Sequence, residues 1–155
     1  MFYFQENFLS KKQSEDIIKI YHANVDKTHE YNGNKTFPLP LSLLSENIID
    51  NISVQITNIC QFLTSIDLKI DNAQIVRWPV GSFHQFHYDA PADVCSAIIY
   101  LNDNFIGGRT CFEFINVKPE KGKLVVFSNS KYLHGIEPVE QNDRYTLIYW
   151  FTKNM

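Results

Sequence analysis

The stretch FHQFHYDAP, Phe83 to Pro91, sets two of the chain's five histidines beside an aspartate and three aromatic rings. A buried imidazole or carboxylate must find a partner or change its protonation state. In an extended segment, residues two apart point to the same side, so His87 and Asp89 share a face while Phe86 and Tyr88 point the other way. A neutral imidazole and a carboxylate converging from one short run suit a divalent metal. His84, three residues before His87, falls off that face by alternation, which predicts a supporting or exposed role.

A third group with the right chemistry is His134, in SKYLHGIEPV, 47 residues beyond His87. If a late strand lies beside an early one, His134 reaches the same mouth. Two imidazoles and one carboxylate then occupy one face of an octahedral ion and leave three positions open, the donor set of non-haem Fe(II) sites. Ten residues further on, Arg144 lies in NDRYTLIYWF. Alternation there puts Arg144, Thr146, Ile148 and Trp150 on one face, and Tyr145, Leu147, Tyr149 and Phe151 on the other. An arginine aimed into an otherwise apolar interior needs an anion, and its forked donors match a carboxylate.

The elements that must position these groups change character near residue 66. Residues 1–8 read as a short aromatic strand. Ser10 is the expected N-cap of a helix, with Gln13 completing a capping box, and Ile17, Ile18, Ile20, Tyr21 and Val25 recur at helical spacing. The polar, Gly- and Pro-bearing stretch 26–44 reads as loop. A second helix is expected from near Ser45, with Ile48, Ile52, Ile56, Ile59 and Leu63 as its apolar stripe and Ile49 and Cys60 alongside. Beyond it come short β-rich runs, AQIVRW, SFHQFHY, VCSAIIYLN, RTCFEFI, KLVVFS and RYTLIYWF, separated by turn signals. Their spacing predicts a sandwich, barrel or jelly roll, with the two helices covering one outer sheet face.

Length predicts one domain over 1–155, divided into a helical support region, 1–66, and a β core, 67–155. A net charge of -3 with no basic block argues against sequence-independent nucleic-acid binding. Cys60, Cys95 and Cys111 are odd in number and lack a CxxC, so neither a disulfide framework nor a zinc ribbon is expected. No signal peptide or bilayer-length apolar run is evident, and a reducing cytoplasm is the expected setting, without membrane association. His22 and His29 are expected to be solvated. Cys111 lacks the orienting group a thiol nucleophile needs.

Six blocks occur in a fixed order: VRWPVGSFHQFHYDAP, IIYLND, GGRTCFEF, VKPEKGKLVVFSN, LHGIEPV and RYTLIYWF. Together, from about Gln74 to Phe151, they resemble the 2-oxoglutarate/Fe(II)-dependent oxygenases, and within them the prolyl 4-hydroxylase-like group. The resemblance implies an α+β fold, a double-stranded β-helix (jelly-roll or cupin-like barrel) with N-terminal helices packed on one sheet. It implies His87, Asp89 and His134 as iron ligands and catalytic centre. Arg144 would pair with the distal carboxylate of 2-oxoglutarate, Tyr100 would donate to the same group and Thr146 would assist, with Thr110 a further pocket candidate by position.

The implied activity is hydroxylation of a prolyl residue or related amino-acid side chain, with decarboxylation of 2-oxoglutarate to succinate. Fe(II), 2-oxoglutarate and dioxygen are then required, ascorbate is a candidate reductant, and the substrate is a peptide, protein or amino acid. Asp89 favours hydroxylation, because halogenating relatives replace this carboxylate with a small residue. One departure is Trp78, which stands roughly where the family often has a tyrosine facing iron and substrate. The competing readings are a cupin-like metal enzyme of another class and a non-enzymatic ligand-binding module; a related nucleic-acid demethylase is disfavoured by the acidic balance. Without a dicarboxylate ligand, Arg144 and Tyr100 have no reason to converge.

Overall fold

Local signals set both helices. In the computed structural model, which describes residues 1–31, 33 and 35–155, α1 spans Lys11–Ala23. Its start is the predicted capping box: Ser10 Oγ accepts from the Gln13 backbone, and the Gln13 side chain accepts from the Ser10 backbone. The second helix, α2, spans Asn47–Thr64 and buries Ile49, Ile52, Ile56 and Cys60. That line is turned slightly from the predicted stripe, and Ile48, Ile59 and Leu63 flank it half-buried. Ser65 closes the helix in the left-handed conformation, φ 56°. Among the described residues, no helix is long and apolar enough to cross a membrane.

Among the described residues, twelve strands accompany the helices. The first six are β1 (Phe2–Gln5), β2 (Phe37–Pro40), β3 (Leu68–Trp78), β4 (His84–His87), β5 (Cys95–Tyr100) and β6 (Ile106–Gly107). The rest are β7 (Thr110–Phe112), β8 (Asn116–Val117), β9 (Leu124–Ser128), β10 (His134–Ile136), β11 (Val139–Gln141) and β12 (Arg144–Lys153). They form a six-stranded sheet in the order β1-β9-β5-β12-β3-β2, a four-stranded sheet β4-β10-β7-β8, and the pair β11-β6. Every pairing among them is antiparallel.

The larger sheet is buried on both faces. On one, Leu147, Tyr149 and Phe151 pack with Ile17 and Tyr21 of α1 and Ile52 and Ile56 of α2. The Tyr149 hydroxyl also meets Ser53 Oγ at 3.0 Å, tying α2 to β12. On the other, Val76, Ile98, Val125 and Ile148 meet Phe112, Val117 and Ile136 of the smaller sheet. Strand alternation alone divides β12 between these cores, as the sequence predicts.

The N-terminal region is more than helical support, because β1 and β2 are the two outermost strands of the large sheet. The 26–44 segment, expected as loop, contains β2 and two short 3-10 turns, Val25–Lys27 and Leu41–Leu43. Prolines mask such a strand, since proline cannot donate to a ladder. Here they fit: β2 is an edge strand in which prolines alternate with Phe37 and Leu39, so the two residues that cannot donate share one side, and the ladder to β3 is served by the other two.

Candidate metal centre and anion pocket

Strand pairing brings the two distant histidines together: His134 of β10 lies directly opposite His87 of β4. Asp89 follows two residues after His87, just past the end of β4. Its Oδ1 lies 3.3 Å from His87 Nε2 and 3.6 Å from His134 Nε2. One ligand atom from each of the three lies within 4.8 Å of the others. Neighbouring donors about 2.1 Å from one ion at right angles stand roughly 3 Å apart, so the spacing fits a shared cation.

Hydrogen bonding fixes the tautomers. His87 Nδ1 is 2.7 Å from the Gln85 carbonyl and His134 Nδ1 is 3.1 Å from the Tyr132 carbonyl. A carbonyl only accepts, so both Nδ1 atoms carry a proton, and each Nε2, the atom that faces Asp89, is the one free to ligate when the imidazole is neutral. Burial pushes the Asp89 carboxyl up, but the His87 bond and the His134 charge, with Ser96, hold it below the ordinary range. Burial dominates at His134 and pushes it down, favouring the neutral imidazole a metal requires. At His87 burial also pushes down, but the Asp89 contact outweighs it and the imidazole is raised. Asp89 Oδ2 accepts from Ser96 Oγ at 2.6 Å, which sets the plane of the carboxylate.

His84 departs from its predicted place. His134 pairs His87 and Ile136 pairs His84, so three steps on β4 match two on β10. This bulge returns His84 to the side of His87, and the two rings lie 3.9 Å apart at 33°. Gly135 permits it: a Cβ there would lie 2.9 Å from the His84 carbonyl oxygen and 3.1 Å from the Phe86 nitrogen. Strict alternation could not anticipate the displacement.

On the larger sheet, at the start of β12, lies a buried cation. Arg144 is fully buried, with Trp78 under its guanidinium at 4.6 Å and Tyr100 at 5.4 Å. Its Nη2 donates to Thr110 Oγ1 at 3.2 Å, but Nε and Nη1 have no hydrogen-bond partner among the described residues. Burial pushes this guanidinium down from its ordinary value, and the Tyr100 hydroxyl opposes that. The Tyr100 hydroxyl and Thr110 Oγ1 meet at 2.6 Å, and Thr146 Oγ1 accepts from Trp78 Nε1 at 3.1 Å. Orphaned donors on a desolvated charge are costly, and a carboxylate is the group that satisfies them.

Cross-strand pairing orders the face. Asn72, Trp150 and Ser96 form one row, Gln74, Ile148 and Ile98 the next, then Val76, Thr146 and Tyr100, and last Trp78 with Arg144. The row of Ser96 adjoins Asp89, and the row of Arg144 ends the series. A cavity of about 400 Å³ opens on this face, lined by the three metal-site residues and by Trp78, Gln74, Asn72, Trp150 and Tyr88. Tyr31, Thr36 and Pro38 from the 26–44 segment and Ala90 from the 90–94 segment also line it. Gln74, Asn72 and Ser96 escaped the sequence reading, although each is a polar residue in phase with an apolar strand face. His22 and His29 are exposed, as expected. Cys111 is buried, and burial pushes its thiol up, away from nucleophilic use.

Comparison with known proteins adds independent findings. The family model described as the 2OG-Fe(II) oxygenase superfamily matches residues 73–152. Prolyl 3-hydroxylase 2 of Rattus norvegicus and of Mus musculus are each 32% identical over 65 residues, 37% of this chain. The chain covers only 9% of the length of these curated relatives. Among solved structures, a Pseudomonas putida prolyl-4-hydroxylase superposes with a TM-score of 0.84 at 17% identity, covering 99% of this chain and 93% of that one. The viral collagen prolyl hydroxylase of Paramecium Bursaria Chlorella virus-1, a 2OG complex, gives 0.76 at 20%, covering 99% and 96%. HygX of Streptomyces hygroscopicus, with nickel and 2-oxoglutarate bound, gives 0.78 at 11%, covering 99% and 83%. At these identities the likeness to solved structures is one of fold.

Proposed function

The chain belongs to the 2OG-Fe(II) oxygenase superfamily, and from that premise we propose that it is a dioxygenase hydroxylating a prolyl residue or a related amino-acid side chain. The two facing sheets are read as the family's jelly roll, a reading supported by the prolyl hydroxylases of similar fold. His87, Asp89 and His134 hold Fe(II). Arg144, Tyr100 and Thr146 receive the distal carboxylate of 2-oxoglutarate. Bound Fe(II) and 2-oxoglutarate supply the oxidation, in which dioxygen is reduced, 2-oxoglutarate becomes succinate and carbon dioxide, and a substrate C–H becomes C–OH.

The chain's own residues bind, orient and exclude water. Gln85 and Tyr132 carbonyls keep both imidazoles in the ligating tautomer, and Ser96 fixes the carboxylate. Trp78, Ile98, Phe127 and Ile148 make the cavity floor apolar, which limits side reactions with water. At the cavity wall, the carboxamides of Asn72 and Gln74 have no intramolecular hydrogen bond among the described residues, and each offers a donor and an acceptor to a peptide backbone. A cavity of this size admits one amino-acid side chain with its flanking backbone.

The observation carrying the proposal is the convergence of His87, Asp89 and His134 with both Nε2 atoms turned to one carboxylate oxygen. The test is succinate release by the Fe(II)-loaded protein, with and without proline-containing peptides and free amino acids. Substrate-stimulated, Fe(II)-dependent succinate is the expected result. Metal binding without any response to 2-oxoglutarate would instead favour a metal enzyme of another class.

A further inference from the structure

Trp78 touches both ends of the anion pocket. Its ring lies under the Arg144 guanidinium at 4.6 Å, and the two residues are paired across β3 and β12. Its indole Nε1 donates to Thr146 Oγ1 at 3.1 Å, a bond buried on both sides. An indole N–H donates only, so Thr146 must accept from it. The Thr146 hydroxyl proton is thereby freed to point at a third group. The ring meanwhile lies against a guanidinium whose Nη2 donates to Thr110 Oγ1 and whose Nε and Nη1 have no hydrogen-bond partner among the described residues.

We propose that Trp78 is a positioning residue for the co-substrate, building from Arg144 and Thr146 a cradle of N–H and O–H donors that selects a distal carboxylate. This rests on the assignment of 2-oxoglutarate to the pocket. Trp78 is 5% exposed and lines the cavity shared with His87, Asp89 and His134, whereas Arg144 and Thr146, which it touches, do not border that cavity, so Trp78 links the cavity to these two buried groups. A phenylalanine there keeps a stacking face but leaves Thr146 free to spend its proton on another acceptor. An aliphatic residue loses both functions.

The test is calorimetric titration of the Fe(II)-loaded protein under nitrogen with two ligands, 2-oxoglutarate and 2-oxopentanoate. The second has the same chain length and the same chelating end but no distal carboxylate. Trp78→Phe is expected to weaken 2-oxoglutarate about tenfold, as for loss of one hydrogen bond serving a charged group, and to leave 2-oxopentanoate within about twofold. Trp78→Leu should weaken 2-oxoglutarate further with the same selectivity. Thr146→Val, which is close to isosteric, should reproduce the Trp78→Phe loss, and the double variant should add little to either. Should Trp78→Leu fail to fold, the more conservative Trp78→Phe decides by the same selectivity. Equal weakening of both ligands, or unchanged 2-oxoglutarate affinity, overturns the inference. Failure of the unsubstituted protein to bind 2-oxoglutarate at all overturns the parent assignment, and is distinguishable from either result.

Discussion

Asp89 divides its labour: Oδ1 faces both imidazoles, and Oδ2 takes the Ser96 hydroxyl. Asp89→Ala or His134→Ala should abolish Fe(II)-dependent succinate formation and high-affinity metal binding. Ser96→Ala, which leaves every proposed ligand in place, should lower Fe(II) affinity by about tenfold in a competition titration with a chelator. Asp93 gives a prediction of different kind. Burial, then the charges of Asp71 and Asp89, push its carboxyl from the ordinary 3.8 up to about 6. A raised carboxyl contributes stability that is complete below its unfolded value and lost as pH rises through the folded one. In metal-free protein, Asp93→Asn should therefore raise the melting temperature at pH 7.5, with the gain fading as pH falls toward 4. At this scale the sequence was readable where period two held, bringing His87 and Asp89 to one face and Arg144 and Thr146 to another. It was unreadable at His84, because a bulge changes the phase and nothing in HQFH announces one.

Gly135 shows how an element positions a site it does not enter. Both neighbours of β10 pass close by, and the β4 bulge needs the space a side chain would take. Gly135→Ala should separate β4 from β10, lowering the melting temperature and the Fe(II) affinity together, whereas Ser96→Ala should move affinity with far less effect on melting. The helices were legible because their signals are local: a capping box for α1 and a run of isoleucines for α2. The strand β2 was not, because FPLP has the composition of a breaker and only its place at a sheet margin makes two prolines tolerable.

Across the whole molecule, β12 is the shared member. Its Arg144 and Thr146 belong to the proposed anion site, while Leu147, Tyr149 and Phe151 anchor the helix layer. Ligand binding should therefore register as global stability. Saturating Mn(II) with 2-oxoglutarate at about 100 times its dissociation constant should add roughly 2.7 kcal/mol, visible as a several-degree rise in melting temperature and absent in His134→Ala. The order of blocks along the chain made the assembly foreseeable, but the width of the cavity mouth was not, since three separate segments reach it, with Tyr31 and Pro38 from one and Gln74 and Ala90 from the others. Pro38 has one more implication. It borders that mouth, and its missing N–H faces outward from the sheet margin. An extended polypeptide laid along this border cannot zip on as an additional strand, because Pro38 and Pro40, the two outward-facing residues of β2, both lack the donor it would need. A peptide substrate of the kind proposed would have to be held by what its side chains and end groups offer, which would make the doorway a reader of local sequence instead of a generic catcher of unfolded chain.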